Sequence, residues 1–166
     1  KSLHGKQVAR EMMGTEEFAN GDQTVTLIRT AKGKMIEIQH NVYTRRPYDR
    51  KYQLVGVDGY ICKYPVKGIA LGVTAYDNLD GERFVPKAIL EDLLEKYKHP
   101  IVAEIEEKAK QVGGHGGMDF IMDYRLIYCL RHGLPLDEDV YDAAEWSCLT
   151  ELSGLSIAYG SMPVEV

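Results

Sequence analysis

The chain has 166 residues, of which 45% are hydrophobic, and 25 acidic against 20 basic residues give a net charge of −5. This length suits one ordinary domain, and this hydrophobic content allows a core. The charges are spread along the chain, and no basic stripe interleaved with aromatic residues indicates nucleic-acid binding. No apolar run approaches the ~20 residues that a membrane span requires. No signal-peptide pattern follows Lys1.

The first half of the chain is predicted to form mainly strands. A short helix is predicted over residues 6–13. Segments rich in Thr, Val and Ile over residues 23–31 and 34–44, joined by a Lys-Gly turn, predict a β-hairpin. One face of its second strand is apolar, as in a half-buried antiparallel sheet, and places His40 in the predicted core.

Two further strands are predicted within KYQLVGVDGYICKYP, on either side of a tight turn between Gly56 and Gly59. Residues 66–85 have a weaker pattern, which fits a short strand followed by a loop.

From Pro86 onward the apolar residues recur with the period of a helix. Helices are predicted over residues 87–98, 100–112, 118–132 and 138–158. The third is apolar nearly all round, which predicts burial, and Gly133 is predicted to end it. Asp137 is predicted to cap the fourth helix, whose small side chains predict close packing. Trp146 is predicted to pack this helix onto the sheet.

The order of strands first and helices afterwards predicts an α+β fold, with an antiparallel sheet and the helices collected on one face. We expect residues 1–166 to form a single domain. Cys62, Cys129 and Cys148 are widely spaced and form no CxxC pair, which argues against a metal site or a disulfide framework. We expect these cysteines to act as small buried hydrophobic residues.

The sequence contains no GxSxG, HExxH, P-loop or GxGxxG motif that would indicate a stand-alone catalytic or cofactor site. The most unusual stretch is GGHGGMDF, in which four glycines flank His115 at the start of a predicted helix. In one interpretation the glycines separate two helices and His115 is a helix-entry residue bonded to backbone. In the other, bare backbone lets a ligand approach, and His115 donates a hydrogen bond or moves a proton.

Asp119 and Asp123 lie four residues apart on the same predicted helix. Paired carboxylates can carry out acid–base chemistry. The alternative is that they interact with the helix dipole or are neutralised by Arg125 and Arg131 on the same helix.

Arg46 and Tyr48 lie in RRPYDR, a polar connection at the end of a predicted strand. Arginine and aromatic residues in such loops often bind ligands. The alternative is a surface loop with the ring of Tyr48 packed beneath it.

Three strings carry a family resemblance: IQHNVYTRRPYDR, LVGVDGYICKYP and GGHGGMDFIMDYRLIYCLRHGLPLDEDVYDAAEWSCLTELS. They resemble the C-terminal domain of the glucose–fructose oxidoreductase / inositol dehydrogenase / MocA superfamily. Within it they are most similar to NAD-dependent glycoside hydrolases of the α-N-acetylgalactosaminidase type. The resemblance covers about residues 20–160.

The resemblance implies a second domain with an open-faced, mainly antiparallel sheet, which binds the sugar or glycoside substrate and often forms a homo-oligomer interface. Its partner would be an N-terminal Rossmann domain that binds NAD, which is absent from this chain. In such enzymes NAD oxidises the sugar and thereby acidifies a neighbouring C–H, so that no carboxylate pair spaced for hydrolysis is required. We therefore expect this chain to be inactive alone and to contain no catalytic, cofactor-binding or metal-binding residue of its own.

Residue by residue, the resemblance implies substrate contacts by Tyr48, in the Arg-Pro-Tyr string with Arg46, and places His115 near the sugar. Arg45 stands where the family commonly has proline, which adds charge to this loop. Two alternatives stay open: the C-terminal domain of an ordinary NAD(P)-dependent sugar dehydrogenase, and a module whose main role is sheet-mediated dimerisation. The resemblance is to bacterial proteins, which are often exported, and the compartment of this protein, cytoplasmic or exported, stays open.

Overall fold

The computed structural model describes residues 2–17, 21–42, 44, 46–72 and 81–165. Arg45 and most of the loop predicted within 66–85 lie outside the described residues. The chain divides into two compact units, Lys1–Leu90 and Glu91–Val166, and each is described by itself.

The helices and strands follow the predicted order. The helices are α1 (Leu3–Met13), α2 (Lys87–Lys96), α3 (Pro100–Val112), α4 (Met118–His132) and α5 (Val140–Ala158), and a short 3-10 turn spans His115–Gly117. The strands are β1 (Gln23–Arg29), β2 (Met35–Asn41), β3 (Gln53–Val55), β4 (Gly59–Cys62) and β5 (Gly68–Leu71). The predicted α+β class is confirmed.

The strands of the first unit form two antiparallel sheets within the described residues, where the sequence predicted one. β1 and β2 pair from Gln23 opposite Asn41 to Arg29 opposite Met35, which confirms the predicted hairpin. β3, β4 and β5 form a separate meander, in which Gly56 N–H donates to the Gly59 carbonyl at 2.8 Å.

Few of the described apolar side chains of the first unit are buried. They are Ala9, Cys62, Ala70 and Val85. The β1–β2 hairpin leaves both faces largely open, and Leu27 is 68% exposed. His40 is also exposed, so its prediction as a core histidine is wrong. The half-buried positions of β2 are Gln39 and Asn41, so the predicted burial of its apolar face is wrong for the described residues of this unit.

The second unit is organised around the contact between α3 and α4. Pro100 lies in the first turn of α3, where a backbone N–H has no partner within the helix, so that proline costs no hydrogen bond. The His99 side chain caps the helix by accepting from Ile101 N–H at 3.2 Å. Ile105 and Ala109 of α3 are buried, as is Cys129 of α4. Cys62 and Cys129 are thus buried as predicted, whereas Cys148 is only half-buried.

Gly117 lets these two helices approach closely. A Cβ at this position would lie 2.7 Å from the backbone carbon of Ala109 and 2.9 Å from its oxygen. Both distances are shorter than any real contact, and the φ of Gly117 is +96°. Glycine is therefore required here by space as well as by backbone conformation.

The predicted burial of the C-terminal helices is wrong for this chain. Met122 of α4 is 65% exposed and Trp146 of α5 is 59% exposed. No residue of α5 is buried, so its small side chains do not pack closely as predicted. The reason is that α4 contacts α3 along one side only, which leaves its other apolar side chains facing solvent.

The N-cap of α5 is Asp139 rather than the predicted Asp137. The Asp139 carboxylate accepts from Tyr141 N–H at 2.8 Å, and Asp142 completes a capping box. Asp137 instead accepts from Arg125 Nη2 at 2.8 Å and from Nε at 3.0 Å. Arg125 therefore binds Asp137 and not Asp119 or Asp123, which the sequence analysis gave as carboxylates that it could neutralise.

Gly117→Ala is expected to lower the free energy of unfolding by about 3 kcal/mol, because the methyl group overlaps the α3 backbone and φ is positive. Gly133→Ala is the matched control, since Gly133 has φ +63° and a methyl group on its Cα would have no other atom within 4 Å. It is expected to cost only about 1 kcal/mol. Urea denaturation of the three proteins measures both values, and equal losses would contradict the close contact.

The Arg125–Asp137 pair predicts a specific pH dependence of stability. The hydrogen bond from Arg125 lowers the pKa of Asp137 below the ordinary 3.8. The pair therefore stabilises the fold fully above the ordinary pKa, and this contribution is lost as pH falls through the lowered pKa. Urea unfolding of wild type and Asp137→Asn from pH 6 to pH 2 should show a difference that shrinks below about pH 4. The double variant Arg125→Met/Asp137→Asn should have nearly the same free energy of unfolding as Asp137→Asn at each pH. A difference between wild type and Asp137→Asn that persists at pH 2 would contradict the pairing.

Candidate functional site

The glycine-rich turn of the second unit has an unusual backbone. All five residues from Gly113 to Gly117 have positive φ, between 46° at His115 and 96° at Gly117. Glycine adopts such angles without steric cost, but His115 does not. A side chain held in this region indicates that the surrounding structure imposes the conformation, which is common at functional sites.

His115 is bonded to a carboxylate of the helix that it precedes. Its Nδ1 lies 2.9 Å from Asp119 Oδ2 and 3.1 Å from Oδ1. An ionised carboxylate can only accept, so Nδ1 donates the hydrogen bond and Nε2 of the neutral ring keeps its lone pair. The His115 side chain is 73% exposed. The interpretation that His115 bonds to backbone is therefore wrong, because the group that its ring binds is a side chain.

The two aspartates of α4 have different surroundings. Asp119, in the first turn, binds His115, whereas Asp123, one turn later, is exposed. They therefore do not act as the predicted carboxylate pair. The sequence analysis missed Asp119 as the partner of His115, although their spacing of four residues was a signal.

An open cleft of about 320 Å³ lies in the first unit. It is lined by residues 37–39 of β2, by Arg46 and by residues 49–53. Lys51 Nζ donates to Glu37 Oε1 at 2.6 Å, and this bond lowers the pKa of Glu37, which stays ionised at neutral pH. Arg46 has no carboxylate partner among the residues that the structure describes. Its guanidinium group belongs to a residue that lines this cleft.

Tyr48 stands beside this cleft rather than in its lining. Its hydroxyl accepts from Arg50 Nε, and Arg50 does line the cleft. The ring meets Tyr64 edge-to-face at 5.7 Å and is 69% exposed, so it is not packed beneath its loop. Sequence analysis missed Arg50 as the partner of Tyr48. The signal was its position two residues further along the same polar segment.

Of the predicted substrate-binding residues, Arg46 and Tyr48 therefore belong together in the first unit, and His115 belongs to the second. Within the described parts of the chain, no group of three or more His, Cys, Asp or Glu residues is arranged to hold a metal ion. No helix in those parts is long and apolar enough to cross a membrane.

Comparison with known proteins places the chain in a family. The family described as "Glycosyl hydrolase 109, C-terminal domain" matches residues 3–166. Glycosyl hydrolase family 109 protein 1 of Bacteroides fragilis is 53% identical over the whole chain, which covers 38% of that protein. The family 109 protein of Porphyromonas gingivalis is 54% identical, again with 38% covered. Protein 5 of Phocaeicola vulgatus is 54% identical over 99% of the chain, with 34% covered.

The chain thus spans little more than a third of the length of these bacterial relatives. The family match spans residues 3–166, a range that contains the positions of the Arg-Pro-Tyr and GGHGGMDF strings. The predicted resemblance to a glycoside hydrolase C-terminal domain is confirmed, and the chain belongs to the C-terminal domain family of glycosyl hydrolase 109.

Proposed function

We propose that this chain is the substrate-binding domain of a longer NAD-dependent glycosidase, referred to below as the parent protein. The match to a glycosyl hydrolase C-terminal domain supports this proposal. The remaining length of the relatives leaves room for a cofactor-binding domain before it. The substrate class is a glycoside of an N-acetylated sugar, as the resemblance implies.

The observation that carries the proposal is the His115–Asp119 pair on open glycine backbone. Nδ1 of His115 is occupied by Asp119, and the exposed ring leaves Nε2 available to a ligand. Neither Gly113 nor Gly116 has an atom within 4 Å of where a Cβ would lie, so a ligand can approach the bare backbone there. Histidine changes charge near neutral pH, and we therefore assign to His115 the exchange of a proton with the glycosidic oxygen or a sugar hydroxyl. This assignment departs from the sequence-based expectation that the chain has no catalytic residue of its own.

Arg46 and Tyr48 are the groups of the first unit that we propose to contact a sugar substrate. An exposed phenol ring offers an apolar face to a sugar ring and a hydroxyl to its oxygens. The bond from Arg50 holds that hydroxyl in place. Arg46 adds N–H donors directed by a planar guanidinium, which pair well with hydroxyl and acetamido oxygens.

The cofactor would be held outside this chain. The sequence carries no GxGxxG motif after a strand, so the residues present do not fit a dinucleotide site. NAD in the parent protein would supply the oxidation of the sugar that makes a neighbouring C–H acidic. The preceding Rossmann domain would be the partner of this domain, and the chain alone would be inactive.

The parent protein is expected to hydrolyse p-nitrophenyl α-N-acetylgalactosaminide when NAD⁺ is present. Tyr48→Phe should lower kcat/KM about tenfold through the lost hydroxyl contact. His115→Ala should lower it about 100-fold or more, because proton transfer is lost. Release of nitrophenol is the measurement, with circular dichroism to confirm folding.

Tyr141→Phe and His132→Ala are the matched controls, since both residues are exposed outside the site, and they should retain full activity. The 166-residue chain alone should neither release nitrophenol nor bind NAD at micromolar concentration. If NADH accumulates with a free sugar and no nitrophenol forms, the parent protein is an ordinary sugar dehydrogenase and the hydrolase proposal is wrong.

Exposed apolar side chains on the β1–β2 hairpin favour a second role, the pairing of this sheet with another copy of the chain. Val25, Leu27 and Met35 lie on one face of the hairpin and are all exposed, and apolar patches of this kind are typical of interaction surfaces. We expect light scattering to give twice the chain mass of 18.7 kDa. Leu27→Glu should give the monomer, and Val57→Glu, at the exposed turn of the other sheet, should not. A monomeric wild type would contradict this role.

A further inference from the structure

We propose that Asp119 is a positioning residue, which fixes the tautomer and the orientation of the His115 ring for proton transfer. This inference rests on the proposed function, in which His115 exchanges a proton with the substrate. Both oxygens of Asp119 lie within hydrogen-bond distance of Nδ1, at 2.9 and 3.1 Å. The imidazole is therefore bonded at one nitrogen and faces solvent with the other.

The backbone on both sides holds this pair in place. Asp119 is the second residue of α4, so its carboxylate is carried by a regular helix. Gly114, which precedes His115, leaves room for that carboxylate, because a Cβ there would lie 2.9 Å from Asp119 Oδ2. The Gly114 carbonyl also accepts from Gly117 N–H at 2.8 Å, which closes the turn around His115. The glycines therefore leave space for the His115–Asp119 hydrogen bond as well as for a ligand.

The hydrogen bond to Asp119 determines which ring nitrogen of His115 can accept a proton from the substrate. A free histidine exchanges its proton between Nδ1 and Nε2, whereas a carboxylate at Nδ1 selects the tautomer with the proton on Nδ1. Nε2 then has a lone pair to accept a proton from the substrate. When it does so, the ring becomes positive at the N-terminus of α4, where the helix dipole disfavours a cation. The negative charge of Asp119 offsets this cost.

The test uses the parent protein with Asp119→Asn, Asp119→Ala and Asp119→Glu. Asp119→Asn and Asp119→Ala should lower kcat about 100-fold while KM changes less than about threefold, because the ring is present but wrongly oriented. Asp119→Glu keeps the carboxylate and should recover about tenfold of that loss. Asp123→Asn, which removes the same charge one turn later at an exposed site, is the matched control and should retain activity.

A second readout follows the ring directly. Nitrogen-15 NMR of histidine-labelled protein should show the Nδ1–H tautomer of His115 in wild type and in Asp123→Asn. Asp119→Ala should show a mixture in which Nε2–H predominates. A purely structural role of Asp119 would lower the melting temperature without changing the tautomer.

The outcomes separate this inference from the proposed function. If His115→Ala abolishes hydrolysis but Asp119→Asn behaves like Asp123→Asn, His115 acts without Asp119 and the inference is wrong. An unchanged tautomer in Asp119→Ala would overturn it in the same way. If His115→Ala keeps full activity, the role proposed for His115 fails, and the role of Asp119 fails with it.

Discussion

The contact between Gly117 and the backbone of Ala109 is the constraint on which the glycine-rich turn depends. Because Gly117 has no side chain, α4 can begin directly against α3, and a Cβ there would overlap the Ala109 backbone. The chain must then turn sharply between the two helices, which the run of positive φ angles accomplishes. His115 is carried by this turn and Asp119 by the first turn of α4, so the same helix contact places both members of the pair.

The second general feature is how little apolar surface this chain buries. Burial of a large apolar side chain contributes about 1.5–3 kcal/mol, yet Met122, Leu130 and Trp146 are mostly exposed. The sequence pattern of α4 is that of a buried helix, and the chain spans only 38% of a relative such as the Bacteroides fragilis protein. An apolar helix of this kind fits the proposed role of the chain as one domain of a longer protein.

Prediction succeeded where the signal was local. The bounds of α3 and α4 agree with the sequence-based helices at 100–112 and 118–132, because Pro100 starts one helix and left-handed Gly133 ends the other. Prediction failed where several polar residues competed for the same role. Asp137 and Asp139 are both plausible caps by sequence, and Arg125 decides between them by binding Asp137. The pairing of Asp119 with Asp123 stayed one of two alternatives, because the positions of these residues on the helix were clear from the sequence but the directions of their side chains were not.

By itself the sequence determined the α+β class, the order of the elements and the membership of the C-terminal domain family of glycosyl hydrolase 109. Backbone preferences, turn residues and motif strings all act between neighbours in the chain, and they can be recognised without a structure. Only the tertiary structure decided that Asp119 binds His115, that Arg50 holds Tyr48 and that Lys51 binds Glu37. It also decided which apolar faces are covered. Polar partners and burial depend on which groups meet in space, and that is settled by packing rather than by local propensity.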